Sequence, residues 1–455
     1  MADSTPTSTR RELVRGLGLS ATTALVVGTI IGTGVFLKTA RMAQAVGTPE
    51  LVLLAWVAAG LLSLAGALSY AELGAMLPAA GGEYVYLRAA YGDLPAFLFG
   101  WMRLTVGSAG SIASFGAAFA TFLAAIAPLN SIGAQRTVGV GVILLFTAIN
   151  CLRVTIGGRV QAVLTLAKVL AIGSIAIGVF FFSRTATWEH LRSPAGVAAW
   201  CGFPAFGAAM LSALWAFDGW NNMPMAAGEV RDPGRNIPWA LMGGMAIVLA
   251  VYGLLNLAYC YALPIQEIAA SSSTLHGTAP PVAFKAASTF LPRFGAQLVA
   301  IAALLSTIGV LNGSILTGAR ITYAMARDGL FLARFAELGE RSAVPVASII
   351  LQGAWACVLV LSATFDQLTD CVIFAGMIFY AATTTAVFVL RKKRPDAPRP
   401  YKTLGYPVVP ALFVVVAIWL VINTFSTNPK ESVAGIGLIA LGLPVYFWQR
   451  KANAQ

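Results

Sequence analysis

The sequence predicts an all-α membrane protein of twelve spans, arranged as a five-plus-five inverted repeat with discontinuous helices at spans 1 and 6. Three observations carry this. Hydrophobic residues make up 58% of the 455 residues and charged ones only 11%, against about 25% charged in a typical soluble chain. Apolar runs long enough to cross a bilayer as a helix recur along the whole length. Two of those runs, the first and the sixth, are interrupted in mid-span. A transmembrane β-barrel would instead show alternating segments of about ten residues.

Taken in order, the chain opens with a polar tail, residues 1–16, carrying Arg10, Arg11 and Arg15. The apolar run that follows is too long for the hydrophobic region of a signal peptide and lacks a clear cleavage site, so it is read as an uncleaved first span. The spans are placed at 17–42, 51–77, 93–127, 136–152, 159–183, 203–228, 237–263, 293–327, 345–365, 367–390, 407–426 and 431–449. Spans 1–5 (17–183) form one repeat, spans 6–10 (203–390) the other, and spans 11–12 (407–449) stand outside both. With the N-terminus inside, nineteen Lys and Arg residues fall in cytoplasmic segments and eight in outer ones. That bias orients the chain with both termini in the cytoplasm, as a multi-pass protein of the inner or plasma membrane. The net charge of +12 then belongs to loops beside anionic lipid rather than to a nucleic-acid surface. Cys151, Cys201, Cys260, Cys357 and Cys371 are scattered, which argues against metal or disulfide chemistry. No cofactor is expected.

The first interruption is Gly28-Thr29-Ile30-Ile31-Gly32-Thr33-Gly34-Val35, with three glycines in seven residues. Glycine costs a helix interior about 1 kcal/mol relative to alanine. The cluster therefore predicts an unwound segment, which is tolerated at membrane depth only inside protein or along a cavity. The second is Trp215-Ala216-Phe217-Asp218-Gly219-Trp220-Asn221-Asn222, followed by Met223-Pro224. Two interrupted spans at corresponding positions and of opposite direction place a solute site between the breaks. Such a site offers a solute two poles. An anionic group meets the positive end of a helix, here the amides of Thr33, Gly34 and Val35. A cationic group meets carbonyls, here those ending the half-helices at Ile30-Ile31 and Ala216-Phe217.

Five motifs carry a resemblance. They are Ser69-Tyr70-Ala71-Glu72-Leu73-Gly74 running on to Gly81-Gly82-Glu83-Tyr84-Val85-Tyr86; Gly228-Glu229-Val230-Arg231-Asp232-Pro233; Ala319-Arg320-Ile321-Thr322-Tyr323-Ala324-Met325-Ala326-Arg327-Asp328-Gly329; Arg399-Pro400-Tyr401-Lys402; and Gly405-Tyr406-Pro407. In this order the chain resembles the amino acid–polyamine–organocation superfamily, and within it the L-type amino acid transporters of the bacterial alanine/serine type. The resemblance implies the fold of the bacterial leucine transporter and solute transport by alternating access. It assigns substrate binding to the same two broken segments, Ile30 to Val35 and Trp215 to Gly219.

The resemblance also places Trp215 where related transporters close an aromatic gate; a packed interface aromatic is the alternative. Asp218 departs from eukaryotic relatives, which have a small residue there. It leaves open substrate contact, a structural or gating role, and proton binding, and it argues for a small pocket. Lys168 in span 5 lies where sodium-coupled members of this fold bind a cation. The resemblance gives it the role of a fixed positive charge, with Gly28, Ser306 and Thr307 as neighbours; otherwise it snorkels to the cytoplasmic face. Glu72 is read as a partner for a loop arginine. Arg103 in span 3 is left between a snorkelling charge and the partner of a carboxylate.

The function expected is sodium-independent secondary transport of small neutral L-amino acids, by exchange. The alternative is a proton-coupled amino acid importer or a cationic amino acid/polyamine antiporter, kept open by Asp218. An enzyme is not expected, because no cluster of His, Asp and Glu gathers at one face. A channel is not expected, because two broken helices imply an occluded site. The partners expected are the amino acid and membrane lipid, with no ancillary subunit and a monomeric chain.

Overall fold

In the computed structural model, residues 15–452 are described except 80, 125, 128, 130, 153–156, 194–199, 274–275, 277–278, 341 and 343. Side chains at 157–162, 164 and 452 are likewise outside the description. Arg10, Arg11, Arg153 and Arg341, and most of the 1–16 tail, lie outside the described residues.

The chain is helical throughout. Helix α1 (Leu19–Ile30) and α2 (Gly34–Val46) are followed by α3 (Pro49–Met76), the short α4 (Glu83–Tyr91) and α5 (Asp93–Met102). A π turn, Arg103–Gly107, joins α5 to α6 (Ser108–Leu123). Then come α7 (Ile132–Asn150), α8 (Gly157–Phe182), α9 (Phe203–Phe217), a 3₁₀ segment (Trp220–Glu229), α10 (Pro233–Ala262), α11 (Ile265–Ala269) and α12 (Val282–Ser288). Next are α13 (Gly295–Arg327), α14 (Val346–Ser362), α15 (Phe365–Lys393), α16 (Val408–Thr427), α17 (Pro429–Ala440) and α18 (Gly442–Ala452).

Among the described residues nine helical stretches are long and apolar enough to cross a membrane singly, and α1 with α2 form a tenth, bent by 42°. Helix α14, at 17 residues, and α9 with its 3₁₀ continuation complete the twelve spans. The starts are set by local chemistry. Thr48 accepts from the Leu51 amide with Pro49 at the first position of α3, and Ser131 caps α7. Thr364 and Gln367 form a reciprocal capping box on α15. Gly157 begins α8.

Each break pairs the half-helix before it with the half-helix after the other. Helix α2 packs on α9, and α1 packs on the 3₁₀ segment. The two broken spans therefore run in opposite directions past one another. Around them α3, α8 and α10 cover one side, and α6, α13 and α15 the other.

The five motifs meet at one end of the bundle, the end that holds residues 15–18. Glu72 accepts from Arg391 Nε and Nη2 at 2.9 and 2.7 Å and from the Thr403 amide at 2.7 Å. The expected loop arginine is thus Arg391, with Arg399 at 3.6 Å. Arg320 Nη2 lies 2.7 Å from Glu229. Arg88 and Tyr84 both donate to Asp328, at 2.7 and 2.8 Å. The amides of Gly16 and Leu17 donate to Glu229 O, both at 2.9 Å. At the opposite end Lys38 lies 2.7 Å from Asp366 and Arg41 lies 2.6 Å from Asp370, joining α2 to α15. Ion pairs thus join helices at both ends of the bundle.

Candidate functional site

The helical hydrogen bonds of α1 stop where the Ile31 amide reaches Val27 O. Ile31 adopts an extended conformation and α2 restarts at Gly34, with Thr33 at its N-cap position. The first amides of a helix have no carbonyl to bond within it. The N–H groups of Thr33, Gly34 and Val35 therefore open into the break with the positive end of the α2 dipole. Helix α9 stops at Phe217, Asp218 is extended, and Gly219 takes φ 122°, a region glycine enters freely. A side chain at Gly219 would strike Thr29 O. This is the point where the breaks touch, since Thr29 Oγ1 lies 3.1 Å from Gly219 O.

The ends of the half-helices are held by neighbours. Tyr252 of α10 puts its hydroxyl 3.1 Å from both Ile30 O and Ala216 O. One phenol thus joins the carbonyl ends of α1 and α9. Lys168, 2% exposed, donates from Nζ to Gly28 O and Ile31 O, both at 3.1 Å. Ser306 donates to Ile31 O at 3.1 Å. Thr307, expected beside Lys168, donates instead to Ala303 O of its own helix at 2.7 Å, because a β-hydroxyl in a helix readily bonds the carbonyl one turn back. Of the carbonyls expected to face a substrate ammonium, Ile31 O is engaged by Lys168 and Ser306, while Ile30 O and Ala216 O share the single Tyr252 hydroxyl.

Trp215 is buried on α9, its ring 5.5 Å from Phe115 and 6.1 Å from Phe365, the latter edge-to-face. Lys38 Nζ sits 4.7 Å over the Phe365 ring. These groups form a layer between the breaks and the Lys38–Asp366 pair. Phe217 turns the other way, into Trp56 and Tyr252. Gly32 lies against Val310 and Phe115.

Asp218 accepts a 2.6 Å hydrogen bond from Tyr380. Asn221 donates to Tyr380 and to Glu83, and Glu83 also accepts from Tyr70 at 2.7 Å. Beneath the breaks is a small cavity walled by Thr29, Arg103, Ser108, Asp218, Gly219 and Asn222, with room for about one water molecule. Sequence reasoning placed both breaks and Lys168 but gave Tyr252, Tyr380 and Glu83 no part. Glu83 carried a signal, being a carboxylate inside the Gly81-Gly82-Glu83 motif. Tyr252 carried none, because its partners lie 222 and 36 residues away.

Tyr252→Phe should lower stability by about 1–3 kcal/mol, since it leaves buried carbonyls without their donor. Thermal unfolding of the detergent-solubilised chain reads this. An unchanged melting temperature would show that another group takes over those carbonyls.

Two opposed broken helices with facing half-helix ends define a carrier of small solutes rather than an enzyme. The chain belongs to the amino acid permease family, whose model matches residues 17–447. It is 31% identical to the serine/threonine exchanger SteT of Bacillus subtilis over 97% of this chain and 98% of the relative. It is 32% identical to the human b(0,+)-type amino acid transporter 1, over 96% and 88%. The human large neutral amino acids transporter small subunit 2 is 30% identical, over 96% and 82%. The chain is a membrane transporter of amino acids.

Proposed function

We propose that the chain exchanges small neutral L-amino acids across the cell membrane without sodium, by alternating access, with both termini in the cytoplasm. The observation that carries this is the Lys168 ammonium against Gly28 O and Ile31 O, joined there by Ser306. These carbonyls would otherwise suit a bound cation. A charge supplied by the chain removes the need for sodium. The substrate carboxylate is read at the amides of Thr33, Gly34 and Val35. Its ammonium is read at the end of α9, at the Phe217 carbonyl and the Asp218 carboxylate. Closure of Trp215 over the site is read as the gate on the outer side. Residues 17–183 and 203–390 are read as the two inverted repeats. The serine/threonine exchanger among its relatives supports exchange here.

The test is counterflow in proteoliposomes. Vesicles preloaded with unlabelled L-alanine should accumulate labelled L-alanine, whereas empty vesicles should not, and replacing sodium with choline should change neither. Activity of the purified single chain would also support the reading that it works as a monomer without an ancillary subunit. Accumulation only in a sodium gradient would overturn the reading.

A second reading, a proton-coupled importer or an antiporter of cationic amino acids or polyamines, is favoured by one observation: Asp218 lines the cavity. Asp218→Asn should then alter the pH profile or the preference for substrate charge.

A further inference from the structure

Arg103 is 5% exposed inside the bundle. It begins the π turn, in which the Ser108 amide donates to Arg103 O, five residues back. A π turn adds a residue to the helical register and recurs at functional sites. Here it brings Arg103 and Ser108 to the same cavity wall. Gly107 keeps space for the arginine stem, since a Cβ there would lie 3.0 Å from Arg103 Cδ. Arg103 Nη2 donates to Asn222 Oδ1 at 3.0 Å. Its Nε, and the Ser108 hydroxyl, are buried with no hydrogen-bond partner.

The other charged and titratable groups around it are Asp218 from the break, Glu83 of α4, Tyr70 of α3 and Tyr380 of α15. Each is already engaged. Tyr380 donates to Asp218, and Tyr70 and Asn221 donate to Glu83. Among the described residues neither carboxylate lies within ion-pair distance of Arg103. A guanidinium is donor-only. A buried donor left unpaired is costly, and a charged side chain within a membrane is by default functional.

We propose that Arg103, with Ser108, selects among substrates by donating to an oxygen on the substrate side chain. The proposal rests on the amino acid transport reading and names the substrate class within it: short neutral side chains that carry a hydroxyl or amide oxygen. The cavity has room for about one water molecule, so a hydroxyl-bearing side chain reaches it with its oxygen alone. Asp218 stands on the same wall, so the cavity is lined by one positive and one negative side chain, which suits a neutral polar group. Apolar side chains of the same shape leave the Arg103 donor unpaired and bind less well.

The test uses threonine and valine, which differ by a hydroxyl in place of a methyl. Counterflow of labelled L-alanine by the full-length chain is competed with each. Threonine should compete at least about tenfold better than valine, the scale of a hydrogen bond to a charged group. Arg103→Met should bring the ratio to about one, and Arg103→Lys should keep part of it. Should Arg103→Met fail to insert, Arg103→Lys and Ser108→Ala carry the test, each lowering the ratio at least about threefold. Equal competition in the wild type overturns the inference and leaves the transport reading intact. So does an unchanged ratio in the variants, which would put Arg103 on the substrate main chain or outside recognition. Absence of any counterflow in the wild type overturns the transport reading and this inference with it.

Discussion

Gly34→Ala should abolish most exchange, while Gly32→Ala should leave much of it. A Cβ on Gly34 would stand 2.5 Å from Ala216 Cα and 2.6 Å from Ala216 Cβ. Backbone on one side and a stub of side chain on the other cannot step aside, so α2 and α9 must separate. At Gly32 the nearest atom is Val310 Cγ2 at 3.2 Å, the end of a side chain that can shift by tenths of an ångström. Overpacking of this kind costs about 1–3 kcal/mol, about 5- to 150-fold in an equilibrium. The cost falls on the form seen here, in which α2 packs on α9. Counterflow rates corrected for the amount of protein in the membrane read the effect. Equal rates for Gly34→Ala and wild type would mean that α2 and α9 never approach this closely during the cycle.

Lys168→Ala should reduce turnover at least about tenfold. It leaves Gly28 O without its side-chain donor and Ile31 O with Ser306 alone. A lost charged hydrogen bond is worth about 1.5–3 kcal/mol, and a buried carbonyl left bare adds to the cost. More is at stake than stability, because Lys168 lies in α8 and Ser306 in α13. Both hold the end of α1, so removing the ammonium cuts the side-chain link to α8 at that end and leaves Ser306 and Tyr252 there. Single-turnover exchange, measured beside substrate binding, separates the effects. Binding retained with slow turnover fits a lost tether. Wild-type turnover in Lys168→Ala would leave the lysine a packing residue.

Much of this site was legible because glycine, proline and charge are conspicuous in apolar sequence. The breaks at Gly32 and Gly219 announced themselves by composition, and Lys168 by its isolation. In the sequence Gly32 and Gly34 stand as equal members of one glycine cluster. The structure separates them, because only Gly34 faces backbone across the interface. What stayed hidden depended on where side chains from distant helices arrive. Tyr252 looks like an ordinary aromatic of a buried helix until its hydroxyl is seen between two carbonyls. The π turn at Arg103 has no sequence signature, so the direction of that arginine was undetermined. Short helices between the spans, such as α4 and α12, were missed because their apolar patterns are too brief to stand out beside long spans.

The tethered ammonium at the end of α1 has a thermodynamic corollary. A sodium ion in that place would have a concentration on each side of the membrane, and its descent could be harnessed. On the proposed reading Lys168 keeps its proton and returns with the polypeptide in every cycle. A carrier of that kind draws on the gradients of the molecules it swaps. Left to itself, exchange brings the inside-to-outside ratio of every shared substrate to one common value. A cell containing it would enrich one amino acid only by giving up another that some separate, energised process had accumulated.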